Sequence, residues 1–343
     1  MPVHDTAGHP PQAAWEDMSV ATFFKSVAVT TGVLALGLAA AITLGGPGVP
    51  QPLHSISDPF AGVDFSRLPP LRHYRAEDGA ELAYRAYLPP AGVDPRGSVV
   101  LVHGSSGRSN GMHVLAQALA QAGYMAYALD VRGHGASGPK GTIAYVGQLE
   151  DDLAAFAQAV PLAAPRTLLG FSSGGGFVLR FAGSARQTLF QRYVLLSPFL
   201  GARAPNYRPD AGGWVKVGVP RIIALTVLNH LGFRAFNGLT VIRFAVSEQA
   251  RPHVTPGYDF NLATNFGPQQ DVEGNIQAAH QPVQVLAGTR DEAFDTATLA
   301  GFFRQQGQSW PVTLLPKVSH VGITLDPVAT RAVVAAVGTT PPP

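Results

Sequence analysis

The chain has 343 residues, a net charge of +2 and no cysteine. No long basic run accompanies that small charge, so there is no electrostatic footprint for nucleic acid. The missing thiols exclude disulfides, thiolate metal sites and a cysteine nucleophile. Hydrophobic residues reach 46% while charged residues make up only 13%, about half the usual globular share, so some part of the chain is unusually apolar.

That part lies near the N-terminus. A polar leader occupies residues 1–25. Beyond it, residues 26–57 contain no Asp, Glu, Lys or Arg, and residues 27–44 are nearly all apolar or small. A segment at 26–45 reaches the lower edge of the roughly 17 to 25 residues that span a bilayer as a helix. Three readings compete: a retained membrane anchor, a secretory signal cut near Ala39-Ala40-Ala41, and a buried helix of a soluble domain. A buried helix would normally show a polar face, and here only threonines interrupt the apolar surface. A start at Met18 would give the leader signal-like proportions, but the apolar run continues past the alanines to Leu44, which favours the anchor. Lys25 precedes the span and the next Lys or Arg is Arg67. This bias puts the N-terminus in the cytoplasm and the bulk of the chain outside it, with secretion after cleavage as the alternative.

Residues 46–70 are rich in Gly and Pro and read as a linker. From Leu71 the pattern alternates. Two short runs around Asp78-Gly79 signal a hairpin. Residues 98–104, "SVVLVHG", form a continuous β-branched and Leu run, as a strand buried on both faces would. Residues 113–123 have helical apolar spacing and close on a glycine. Further strands are expected at 124–130, 166–171, 192–199, 282–288 and 311–316, with an amphipathic helix at 146–160 and another after 171. Strands alternating with helices argue for βαβ units, hence a mostly parallel sheet with helices on both faces. Between 200 and 281 the alternation stops, and an apolar segment, "VPRIIALTVLNHLGF", stands among Pro, Gly and aromatic residues. A structureless connection of that length is implausible, so residues 201–281 are expected to fold as an inserted, largely helical cap on a core of residues 71–200 and 282–338.

In an open α/β sheet, ligands sit beyond the carboxyl ends of the strands. Those ends carry His103-Gly104-Ser105-Ser106, Asp130-Val131-Arg132-Gly133-His134, Gly170-Phe171-Ser172-Ser173-Gly174, Asp291 and His320. The third fits G-x-S-x-G with Ser172 at its centre, between a strand and a helix. A sharp turn there strains the serine backbone and pushes its hydroxyl out of the sheet. Ser173 does not fit the pattern, but its N–H, at the positive end of the next helix, suits a developing oxyanion. A serine hydroxyl needs a base and the base needs an orienting acid. His320 and Asp291 supply them at later strand ends, in the order serine, acid, histidine, with Glu292 and Asp295 as fallback acids. "GHGASG" at 133–138 matches G-x-G-x-x-G, yet Pro139-Lys140-Gly141 extends the loop where a dinucleotide site would open a helix. No P-loop and no metal-ligand spacing occurs, so neither cofactor nor metal is expected.

Four motifs, "LVHGSSG", "DVRGHGASG", "GFSSGG" and the pair "GTRDEAFD" with "SHVG", make the chain resemble the α/β-hydrolase superfamily. Within it the chain is similar to the serine hydrolases that include monoacylglycerol lipases and the serine aminopeptidase group. The resemblance runs from about residue 71 to 337. It implies an α/β-hydrolase fold, a second oxyanion donor at the Ser105 N–H beside that of Ser173, and a structural role for residues 130–137. The implied activity is hydrolysis of a small-molecule carboxylic ester, lipid-like or otherwise apolar, through an acyl-enzyme. A broad carboxylesterase, a thioesterase, a peptidase or a non-catalytic binding protein are the alternatives.

Overall fold

The structure is a computed structural model and describes residues 20–339. Most of the expected leader, including Met18, and the last four residues lie outside them. The first helix, α1 (Val20–Leu44), holds the one segment among the described residues long and apolar enough to cross a membrane, Thr22–Leu44. Phe24, Val29, Val33, Leu34 and Leu36 on it are all exposed. A core helix would be covered there, so α1 has the character of a membrane anchor or a signal sequence.

The domain is built on an eight-stranded sheet. Its strands are β1 (Leu71–Arg75), β2 (Glu81–Tyr87), β3 (Ser98–Val102), β4 (Met125–Leu129), β5 (Arg166–Phe171), β6 (Arg192–Leu196), β10 (Val283–Arg290) and β11 (Val312–Ser319). The order across the sheet is β1-β2-β4-β3-β5-β6-β10-β11. The hairpin β1–β2 is antiparallel and joins β4 antiparallel, while every pairing from β4 through β11 is parallel. All five residues of β3 are buried, as its unbroken apolar run requires of a central strand. Helices α2 (His113–Gln121) and α9 (Pro327–Gly338) cover one face with Leu115, Leu119, Val333 and Val337. Helices α3 (Gln148–Ala159), α4 (Ser173–Ala182) and α8 (Leu299–Gln305) cover the other with Phe156, Phe177, Phe181 and Phe303. This is the α/β-hydrolase arrangement, and it brings the carboxyl ends of β3, β5, β10 and β11 to one edge.

The insertion between β6 and β10 contains the expected helices, α5 (Val219–His230), α6 (Phe260–Asn265) and α7 (Val272–Gln277). It also contains a three-stranded antiparallel sheet that the sequence reading did not anticipate, β7 (Val215–Val217), β8 (Thr240–Phe244) and β9 (Gly257–Asp259), with β8 in the middle. The stretch read as a linker is partly packed. Residues 54–62 form two short helical turns, and the Leu53 N–H donates to the Ala245 carbonyl of the insertion at 3.0 Å.

Candidate active site

β5 ends at Phe171 and α4 begins at Ser173, so Ser172 makes the whole turn, with φ 56° and ψ −120°. A serine in that region is strained, and its neighbours leave no room to relax. A Cβ on Gly170 would lie 2.2 Å from the Gly174 carbonyl oxygen, and one on Gly174 would lie 2.3 Å from that of His103. The two glycines of G-x-S-x-G thus let the turn close against itself and against the end of β3.

The turn aims the Ser172 hydroxyl at His320, just beyond β11, with Oγ 3.0 Å from Nε2. His320 Nδ1 lies 2.9 Å from Oδ2 of Asp291, just beyond β10. Asp291 Oδ1 accepts the N–H groups of Ala293 (3.0 Å) and Phe294 (2.9 Å). With Nδ1–H donated to Asp291, Nε2 is left to accept the serine proton. All three side chains are buried, and the rings of Phe171 and Phe294 flank the imidazole at 4.9 and 5.1 Å. Burial pushes the Asp291 carboxyl up. The charge and hydrogen bond of His320 and the Phe294 N–H outweigh it and hold the group below the usual carboxylate range. The fallback acids serve elsewhere: Glu292 accepts the backbone N–H of His320 at 2.9 Å, and Asp295 caps the turn at Ala297.

Ser105 lies in the loop after β3, and Ser173 opens α4 directly after Ser172. Three contacts from the insertion grip the loop after β3. Trp214 Nε1 donates to Ser105 Oγ (2.9 Å), the Thr255 N–H donates to the Ser106 carbonyl (3.0 Å), and the Ser106 N–H donates to the Tyr258 hydroxyl (2.8 Å). Ser106 itself has φ 66°. Tyr258 also meets Nε2 of His134 at 2.7 Å. None of these partners has a local signal in sequence, since Tyr258 lies 152 residues from Ser106.

Residues 130–137 act as frame. Asp130 accepts the N–H groups of Ser109 (2.7 Å) and Ala136 (2.9 Å), and Ser137 Oγ accepts that of Ala83 (2.8 Å). "GHGASG" folds back on itself, with the Gly141 N–H on the Gly133 carbonyl, and the next helix, α3, opens only at Gln148. That geometry offers no dinucleotide-binding helix terminus.

Ser172 and His320 line a cavity of about 450 Å³ whose apolar walls include Phe60, Phe65, Met112, Trp214 and Val254. Ile56, Phe60 and Phe65 come from the stretch read as a linker. Their spacing of four and five was the available signal. A cleft of about 870 Å³ elsewhere, between Phe199, Ile242, Phe260 and Pro268, includes none of Ser172, Asp291 and His320.

The sequence model of the family described as serine aminopeptidase, S33, matches residues 93–323. That is more than half of the 343 residues. The chain belongs to this hydrolase family. It is 36% identical over 130 residues to a monoacylglycerol lipase of Mycolicibacterium smegmatis, a match spanning 36% of this chain and 45% of that relative. Among solved structures, a soluble variant of monoglyceride lipase from Saccharomyces cerevisiae superposes with a TM-score of 0.57 at 19% identity, covering 80% of this chain and 94% of the other. The monoacylglycerol lipase of Paleococcus ferrophilus does so with a TM-score of 0.55 at 22% identity, covering 75% and 96%. At such identities these structures speak to the fold of this S33 member alone.

Proposed function

We propose that this protein is a serine ester hydrolase acting on apolar acyl esters of the monoacylglycerol kind. The observation that carries the reading is the unbroken chain of contacts from Ser172 Oγ through His320 to Asp291, opening into an apolar cavity. Ser172 attacks the ester carbonyl while His320 takes its proton. Asp291 holds the imidazole, and the Ser105 and Ser173 amides receive the oxyanion. His320 then returns the proton to the departing alcohol, and water releases the acid by the same steps in reverse order.

The cavity favours esters over N-terminal amines of peptides. None of its lining residues is acidic, so a substrate ammonium would be desolvated there without a counter-charge. The monoacylglycerol lipase names of its relatives favour a lipid-like alcohol, and α1 favours supply from a membrane. The cap role of residues 201–281 belongs to this proposal too, supported by Trp214 and Val254 in the cavity wall.

A fluorophosphonate probe should label the purified protein at Ser172, and Ser172→Ala should abolish both labelling and ester hydrolysis. Retained turnover in that variant would overturn the assignment of the nucleophile. Profiling of acyl chain length should show a preference for medium or long chains, and a short-chain optimum would count against the lipase-like substrate.

A further inference from the structure

The apolar N-terminal helix does not stand apart from the hydrolase domain. Its last turns pack on α5, where Leu38, Ala41 and Ile42 join Ala224, Leu225 and Val241 in an apolar cluster separate from those covering the sheet. Arg221, in the first turn of α5, closes the joint. Its Nε donates to the Ile42 carbonyl (2.7 Å), Nη2 to the Thr43 carbonyl (3.0 Å) and Nη1 to the Thr240 carbonyl (2.7 Å). Carbonyls in the last turn of a helix lack intrahelical donors and form the negative end of its dipole. A guanidinium answers both needs, and by reaching β8 at Thr240 as well it pins α1 to the insertion.

The other side of α5 is uncovered. Val219, Ile223, Val227 and Leu231, each four residues from the last, are 44 to 66% exposed, and Phe233 and Phe236 continue the apolar surface. Soluble monomers seldom leave so contiguous an apolar row open to water. The flanking charge is mostly positive. Residues 211–247 contain Lys216, Arg221, Arg234 and Arg243 and no Asp or Glu. Lys216 is paired with Asp210 at 2.5 Å, which leaves Arg221, Arg234 and Arg243 as the excess. An apolar row edged by cations is the pattern of a helix lying in the interface of an anionic bilayer.

We propose that α1 is retained, and that α1 and the exposed row of α5 form one lipid-facing surface, latched by Arg221, which lays the insertion on the headgroup layer beside the anchor. This rests on the anchor reading of α1. Cleavage near Ala39-Ala40-Ala41 would remove Leu38 and strip the apolar partner from α5. The consequence for the site is direct. The same insertion holds the Ser105–Ser106 loop through Trp214, Thr255 and Tyr258, so the membrane fixes the element that fixes the loop.

The absence of cysteine makes a single-site label unambiguous. Ile223→Cys in the full chain, labelled with an environment-sensitive dye, is reconstituted into phosphatidylcholine and phosphatidylglycerol vesicles carrying nitroxide lipids. Val328→Cys, exposed at the start of α9, is the reference. The Ile223 dye should shift to the blue and lose most of its emission to the nitroxide lipids, while the Val328 dye keeps its aqueous spectrum. Adding Arg221→Ala should return the Ile223 dye towards the reference, with the protein still in the vesicles through α1 and still labelled by fluorophosphonate. An Ile223 dye as aqueous as the reference would overturn the docking, as would one shielded without lipid quenching, which marks coverage by a second copy of the chain. An unchanged Arg221→Ala spectrum would overturn the latch. Release of the protein from vesicles by carbonate would overturn the anchor reading itself.

Discussion

Tyr258→Phe removes a single oxygen that two buried groups share. The Ser106 N–H donates to it and Nε2 of His134 lies 2.7 Å away. Burial pushes the phenol well above its ordinary value, so it keeps its proton and donates to Nε2. Burial, and then the neighbouring His103, push His134 well below the usual imidazole range, so that nitrogen is free to accept. Substitution leaves a donor and an acceptor unpaired, each costing about 1 to 3 kcal/mol. Most of that loss should appear as destabilisation. The part that reaches the site is a loosened Ser105–Ser106 loop. Removing an oxyanion donor altogether costs about 2.7 to 4 kcal/mol, and misplacing one should cost about 1.4 kcal/mol, a tenfold fall in kcat. The assay is steady-state hydrolysis of an activated ester well below the melting temperature, paired with urea denaturation. Tyr127→Phe is the control, because its hydroxyl donates to the Pro161 carbonyl, away from the site, and should cost stability alone. A folded Tyr258→Phe protein with kcat within about twofold of the parent would refute the coupling between insertion and loop.

Tyr258 also marks the limit of what sequence order conveys. Strand ends were legible because the β-branched and Leu runs of β3, β5, β10 and β11 stop abruptly, each giving way to polar residues or glycine. Ser172 was legible because its turn excludes a Cβ on either side, which writes glycine at fixed offsets. The spacing of Asp291 from Gly288, where the strand is expected to end, favours it over Glu292 and Asp295; the strand in fact runs on to Arg290, and Asp291 is the acid that meets Nδ1 of His320. Contacts across the insertion have no such grammar: Trp214, Thr255 and Tyr258 reach the loop after β3 from 109 to 152 residues away. The strands β7 and β9 are three residues long, too short for alternation to register. Residues 54–65 were hidden for another reason. Gly and Pro report backbone freedom, whereas Ile56, Phe60 and Phe65 report packing, and the composition of the whole stretch masks three side chains. Arg221 on the last carbonyls of α1 was unreadable because the pairing joins residues 179 apart.

Gly174→Ala places a methyl against the His103 carbonyl, a backbone atom that cannot swing aside. It should destabilise the fold by about 1 to 3 kcal/mol and slow fluorophosphonate labelling of Ser172, and a variant with parental Tm and labelling rate would contradict the steric reading. Asp291→Asn leaves the shape but gives Nδ1 of His320 the wrong partner, and kcat should fall by about four orders of magnitude, as in other hydrolases with these three groups. The same substitution tests the electrostatics of the pair. Burial alone would raise the Asp291 carboxyl, and His320 with the neighbouring donors reverses the sign. A group held below its unfolded value of about 3.9 adds stability that is fully present above that pH and lost as pH falls through its folded value. The Tm advantage of the parent over Asp291→Asn should therefore be greatest near neutral pH and shrink below about pH 4. An advantage that grew as the solution became acid would mean that burial prevails over His320, and that Asp291 is a carboxyl held against its preference rather than a stabilised carboxylate.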